Sequence, residues 1–377
     1  MEGFIIALFV CLVLALISKY LSVPAIPFYI LAGVILGKAG LGIVHSDEIS
    51  HFFSEMGLLF LLFFMGLELK LERIVANPSK VLTAGFIGLT VDMGIGFLAA
   101  YLLGFSLMEA FIVGAAFYIT STAIVITSLI ENRKLMHKES ETIIWVVVFE
   151  DIVLIIILAL LSASDQNLLF FFVKIALALA FMYAISFYGK EFLISILERD
   201  DEIPILFTFA AVLTTASFAL FLGIPETLMV IALGAALATT DPDAFEQHAR
   251  PFKDVFLVMF FVFFGVTIDF SSNMNWTIIA IICFLAIVSK LISGMLMGLI
   301  IHDSAMSGLE IGTNMICRGE FSIALAVLYG SPLIATTVAA LVIVTSIIGS
   351  FTAKYSGLLR RGIVSRSRHK ALMRRPH

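Results

Sequence analysis

Charge is scarce in this chain. Asp, Glu, Lys and Arg make up 14% of its 377 residues and hydrophobic residues 61%, against about 25% and 45–50% in an average soluble domain. That shortage excludes a soluble fold, because a single hydrophobic core stops growing beyond about 250–300 residues. Long polar stretches are missing as well: apolar runs of roughly the 17–25 residues that a bilayer-crossing helix needs follow one another along the whole chain. Alternation of apolar and polar residues is absent from those runs, which excludes a transmembrane barrel. Cysteine is rare, and Cys11, Cys283 and Cys317 lie inside apolar segments, where a small core residue is expected and a disulfide framework is not. All seven histidines fall at loops, segment ends or the tail, which speaks against haem or an intramembrane zinc site. There is no HExxH, no phosphate-binding P-loop and no dinucleotide-binding glycine pattern. Energy for any transport must therefore come from a gradient. The net charge of −5 identifies no partner, because the charges are segregated by loop.

What is there is a series of thirteen apolar segments, at about 2–20, 26–43, 52–69, 80–103, 107–130, 142–163, 168–189, 203–222, 225–240, 252–268, 276–301, 306–329 and 332–357. The expected class is an all-α polytopic membrane protein with thirteen transmembrane helices. The first segment opens with Glu2 instead of a basic stretch, so it is read as a span and not as a cleaved signal. Gaps after odd-numbered segments carry Lys19; Lys70, Arg73 and Lys80; Arg133, Lys134 and Lys138; Lys190 and Arg199; and Arg250 and Lys253, and the stretch from Lys354 to His377 carries eight more basic residues. Gaps after even-numbered segments carry only Lys38. By the positive-inside rule the N-terminus is outside and the C-terminus cytoplasmic in a cell membrane, which needs an odd number of spans. The basic tail, about 359–377, reads as a cytoplasmic anchor touching anionic lipid.

A shift of about 200 residues aligns the chain with itself. Leu21 to Pro24 and Leu31 to Gly37 recur as Leu222 to Pro225 and Ala232 to Leu237, and Leu59 to Gly66 recurs as Val258 to Gly265. At the same shift Asp92 falls opposite Lys290, Gly114 opposite Gly312, and Thr120-Ser121-Thr122 opposite Arg318-Gly319-Glu320. Segments 1–6 thus pair with 8–13, and segment 7 is a linker that inverts the second copy. Inverted repeats of this kind mark secondary transporters, whose substrate site lies near the bilayer midplane.

A carboxylate at the bilayer centre costs at least about 2.5–3.5 kcal/mol, so each one calls for a function or a partner. Glu150 and Asp151 stand together in segment 6. Successive helical residues diverge by about 100°, so one can face an ion cavity while the other faces protein. Their mutual repulsion favours exchange of a proton for a metal cation, with Asp151 as the first functional candidate and Glu150 as the second. The polar run at Thr120, Ser121 and Thr122 in segment 5 and that at Arg318, Gly319 and Glu320 in segment 12 predict interrupted helices, where freed carbonyls and hydroxyls coordinate ions and side chains neutralise helix ends. Arg318 and Glu320 are open to neutralising helix ends, pairing with each other or touching the ion. Lys290 is too central in segment 11 to snorkel. Its expected partner is Glu150 or Asp151, with Asp92 as the static alternative. Lys174 is placed to snorkel, and Glu109, Glu226 and Glu310 are expected as interfacial or capping residues.

In this order the motifs resemble the monovalent cation:proton antiporter family that includes Kef-type potassium efflux proteins and NapA-type sodium:proton exchangers. The resemblance rests on Pro27 to Gly37, Leu62 to Leu69, Thr120 to Val125, Phe149-Glu150-Asp151, Phe260 to Gly265 and Arg318 to Ser322, and it covers nearly the whole membrane region, 1–358. It implies crossed, interrupted helices in segments 5 and 12. It also implies a mobile core at about 80–163 and 276–357, and a dimerising scaffold at about 1–70 and 203–268. Asp151 falls on the family's ion-binding aspartate, Glu150 on the position before it, Lys290 on the lysine of electrogenic members, and Arg318 with Glu320 on the second charged break. The chain departs from the family in carrying Glu at 150, where relatives carry Asp, Asn or Gln, and it shows no nucleotide-binding domain of the kind that often follows in Kef-type relatives.

The expected function is antiport of Na+, with K+ or Li+ as alternatives, against H+ by alternating access. Asp151 binds the ion, Glu150, Thr120 and Thr122 assist, and Lys290, Arg318 and Glu320 compensate charge. No enzymatic activity, cofactor or nucleic acid is expected; the partners are the ions, lipid and a second copy of the chain. A cation channel on the same scaffold lacks a carbonyl filter in the sequence. An intramembrane aspartyl protease would need carboxylates on facing elements, not on adjacent residues.

Overall fold

The computed structural model describes residues 2–21, 23–45, 48–68, 78–163, 168–268 and 275–373. Lys70 and Arg73, counted above for orientation, and the tail side chains from 356 onward lie outside the described residues. Helices follow in the order α1 (Glu2–Leu21), α2 (Ile26–Leu36), α3 (Glu48–Leu67), α4 (Pro78–Gly88), α5 (Gly94–Leu102), α6 (Leu107–Tyr118), α7 (Thr122–Glu131), α8 (Lys138–Ser162) and α9 (Leu168–Tyr188). They continue as α10 (Lys190–Leu197), α11 (Ile203–Leu222), α12 (Glu226–Leu237), α13 (Pro242–Thr267), α14 (Trp276–His302), α15 (Ala305–Asn314), α16 (Glu320–Tyr329) and α17 (Pro332–Met373). Among the described residues there is no strand. Each apolar segment is helical, yet among the described residues eight helical stretches are both long and apolar enough to cross a membrane alone. A ninth is added if α9 and α10, bent by 67° at Gly189, count as one.

The chain divides into two compact units: 1–13, 29–71 and 151–268 in the first, 14–28, 72–150 and 269–377 in the second. In the first unit, backbones meet at glycine. A Cβ on Gly66 would stand 2.9 Å from the Cα of Gly234, and one on Gly265 would stand 2.9 Å from the Cα of Gly33; such contacts exclude any larger residue. Around them Phe60, Phe209, Phe252 and Phe256 stack with ring centroids 5.2–6.5 Å apart. Aromatic area of this kind dominates packing where it is buried, and Phe60 is fully enclosed.

In the second unit, local sequence sets the helix ends. Ser106 and Glu109 form a reciprocal capping box at the start of α6, the capping role expected for Glu109. Asn275 and Ser304 cap α14 and α15. Between α4 and α5 the chain makes one π turn, Leu89–Met93, which carries Asp92; single π turns inside helices recur at functional sites. An apolar core of Val125, Leu129, Ile143, Val146, Val147, Met297, Ile311 and Met315 fills the space beside these elements.

Three boundaries depart from the sequence reading. Segment 2 stops at Leu36, because the next residues fold back through Leu41 N–H to Ile35 O at 2.6 Å and Gly42 N–H to Gly37 O at 2.9 Å. Segment 10 starts ten residues early, at Pro242: the Asp241 carboxylate caps Ala244 N–H at 3.0 Å and Pro suits the first helical turn. Hydropathy alone missed that polar half. The last helix runs past the apolar segment to Met373.

Candidate ion site at two interrupted helices

Segments 5 and 12 are both interrupted, as their polar runs predict. Residues 119–121 separate α6 from α7, and 315–319 separate α15 from α16. The two breaks meet directly: Ser121 N–H donates to the Cys317 carbonyl at 3.0 Å. Each break leaves helix ends whose carbonyls or N–H groups lack intrahelical partners, with partial negative charge at the C-termini and positive charge at the N-termini.

Side chains answer these ends one by one. Lys290 Nζ donates to the Tyr118 carbonyl at 2.6 Å, on the last residue of α6. Arg318 donates through Nη1 to the Ile316 carbonyl at 2.6 Å and through Nη2 to the Ala286 carbonyl at 3.1 Å, beside the end of α15. The two cations thus do the same work at the two breaks. Glu320 opens α16, and its carboxylate accepts from Ser121 Oγ at 3.2 Å. Arg318 and Glu320 form no ion pair with each other, so the helix-end alternative describes Arg318. The guanidinium has the Ile316 carbonyl beside the end of α15 and the Ala286 carbonyl of α14 within reach, and these satisfy its Nη groups.

Lys290 is the hub. Its ammonium lies 2.7 Å from Glu150 Oε1 and 3.1 Å from Asp92 Oδ2, with all three side chains essentially inaccessible. Both alternatives from the sequence are therefore realised at once: Glu150 and Asp92 share one lysine. Glu150 is further held by Thr120, whose N–H donates to Oε2 at 2.7 Å and whose hydroxyl donates to Oε1 at 3.1 Å. Ser293 Oγ, one turn beyond Lys290, donates to Asp92 Oδ2 at 3.1 Å. Oδ1 of Asp92 and the hydroxyl of Thr122 are buried and make no hydrogen bond. Asp151 follows Glu150 on α8 and is half-buried, where Glu150 is fully buried, consistent with the 100° divergence.

Asp92 and Ser293 were not singled out as site residues. The signal existed: Asp92 is the one carboxylate inside segment 4 and falls opposite Lys290 in the internal alignment. Glu310 also departs from expectation. It is buried at 5% exposure, and its Oε1 lies 3.4 Å from His137 Nδ1, because α15 folds inward from its Ser304 cap.

Residues 5–355 match the family model described as sodium/hydrogen exchanger, transmembrane. The K(+)/H(+) antiporter subunit KhtU of Bacillus subtilis is 30% identical over 85% of this chain and 83% of its own length. A Na(+)/H(+) antiporter of Enterococcus hirae is 27% identical over 90% and 94%. The solved structure of the sodium proton antiporter MjNhaP1 from Methanocaldococcus jannaschii at pH 8 has the same fold, with a TM-score of 0.71 at 20% identity over 94% of this chain and 96% of that one.

Proposed function

Because the chain belongs to the sodium/hydrogen exchanger family, whose similar members are cation:proton antiporters, we propose that it exchanges Na+ for H+ by alternating access, with Asp151 as the residue that binds either ion. The observation that carries this reading is the Lys290–Glu150–Thr120 arrangement at the first helix break, in which Glu150 immediately precedes Asp151 on α8. Glu150 is neutralised by Lys290 and held by Thr120, so its charge is spoken for. Asp151, the next residue on α8, takes a cation or a proton, and competition for one carboxylate enforces coupling. An empty, charged carboxylate is costly to carry through the bilayer. Thr122, with its uncommitted hydroxyl, adds an oxygen ligand; Thr120 acts by fixing Glu150. Lys290 and Glu150 tune the site and offer a second proton. Arg318 and Glu320 hold the second break.

Thirteen spans in a cell membrane, an outside N-terminus and an inverted repeat are part of the same proposal. The glycine crossings support the repeat: Gly33 and Gly66 of the first copy match Gly234 and Gly265 of the second in the alignment, and each packs on the other's counterpart. Motion of a core of about 80–163 and 276–357 against a dimerising scaffold of about 1–70 and 203–268 would supply the alternation. K+ is the second cargo, favoured by the 30% identity to a K(+)/H(+) antiporter subunit.

The test is a proteoliposome assay in which a pH gradient drives Na+ movement. Asp151→Asn is expected to abolish exchange while the protein still inserts and remains monodisperse. Full activity in that variant would overturn the assignment, and uncoupled cation flux would favour a channel.

A further inference from the structure

Away from the helix breaks, the second unit holds a group of metal-ligating side chains that cation exchange does not use. His137 lies in the short connection between α7 and α8, Glu139 in the first turn of α8 and Glu310 in α15. One ligand atom from each of the three lies within 4.8 Å of the others. We propose that His137, Glu139 and Glu310 form a binding site for a divalent first-row transition ion of the Zn2+ or Mn2+ class.

The geometry suits such an ion. Bonds of about 2.0–2.2 Å in tetrahedral coordination set neighbouring ligand atoms roughly 3.3–3.6 Å apart. His137 Nδ1 and Glu310 Oε1 already stand 3.4 Å apart, and the Glu139 oxygen lies within 4.8 Å of both, so the third ligand has at most about 1.5 Å to close. One imidazole with two carboxylates selects first-row transition ions over Mg2+, which prefers an all-oxygen octahedral shell. Glu139 and Glu310 are 2% and 5% exposed, whereas the His137 side chain is 43% exposed. The site thus joins two buried carboxylates to an imidazole that reaches the surface. Ser307 Oγ donates to Glu139 Oε1 at 2.7 Å, the kind of supporting bond that orients a ligating carboxylate. The connection that presents His137 is tightly built: Arg133 adopts φ 55°, and His137 N–H returns to the Lys134 carbonyl at 2.8 Å.

Lys134 is the competing cation. Its amine is directed at the Ala353 carbonyl at 2.6 Å and at Asn314 Oδ1 at 3.4 Å, and burial pushes it below the ordinary lysine range, opposed by the Glu310 carboxylate. A bound ion would tie the α7–α8 connection to α15.

Full-length protein in detergent, with any affinity tag removed and metal stripped by chelator, is titrated calorimetrically with ZnCl2, MnCl2 and MgCl2. The expected result is one Zn2+ or Mn2+ per chain, at least tenfold tighter than Mg2+. His137→Ala and Glu310→Gln should each weaken it at least tenfold, while a His369→Ala/His377→Ala variant should bind as the parent does. Co2+ added to the unaltered protein should show d–d absorption distinct from the aquo ion, which needs no variant to fold. Absence of saturable binding, equal Mg2+ affinity, binding unchanged in His137→Ala or lost in the tail variant, or an aquo-like Co2+ spectrum would each overturn the site. None of these readouts depends on transport.

Discussion

Lys290 is surrounded by the Tyr118 carbonyl, Glu150 and Asp92 at 2.6–3.1 Å, with no access to solvent. Removing one member of a buried charge group leaves the others unpaired, which costs about 3–5 kcal/mol. Lys290→Ala is therefore expected to lower the unfolding transition by about that amount in detergent, read by tryptophan fluorescence. Replacing Glu150 by Gln in a Lys290→Met background should recover part of the loss; an unchanged transition in Lys290→Ala would remove the hub. The chemistry of this group was legible in the sequence, since an ammonium so far from either segment end requires a carboxylate. The choice of carboxylate was not legible. Glu150 and Asp151 are equivalent in composition and depth and differ only in helical phase, and phase acquires meaning only once a neighbouring helix has taken its place. The cluster at Glu310 is the converse case: its position near a segment end suggests an interfacial or capping residue, whereas in α15 it is buried beside His137.

At the scale of the element, short polar signals predicted structure well. The Ser106–Glu109 box is worth about 0.5–2 kcal/mol when its cap is removed, so Ser106→Ala should destabilise by that margin, measured by the same unfolding assay. Ser331 also donates to Glu109 at 2.7 Å, and Glu109→Ala should cost at least as much as Ser106→Ala. The glycine crossings of the first unit are less forgiving. Gly234→Val forces carbon into the Gly66 backbone, and overpacking of this kind costs about 1–3 kcal/mol or more. Loss of monodisperse protein on gel filtration is expected, with Gly42→Ala, at a position with open space but φ +64°, milder. Helix ends set by hydropathy alone were the weak point, as in α2 and α13, where backbone turns and caps overrode the apolar pattern.

For the whole molecule, membership of the exchanger family and the low charge content point the same way. Dequenching assays with Na+, K+ and Li+, repeated at clamped voltage, are expected to show a Na+ response whose rate changes with voltage, because Lys290 and two carboxylates share the site. A voltage-independent rate would make the exchange electroneutral. Selectivity belongs to this scale, since hydroxyl and carboxylate oxygens serve each of these ions and cavity geometry distinguishes them.

By itself the sequence determined the class of protein, the positions of its apolar helices and the two breaks, because hydrophobic length and helix-breaking polar runs act within a single segment. Tertiary structure alone decided which carboxylates share Lys290, that Arg318 answers a helix end and not Glu320, and that His137, Glu139 and Glu310 converge. Those choices join residues as far as 198 positions apart, in the case of Asp92 and Lys290. They depend on the rotation and crossing of helices, which no local pattern encodes.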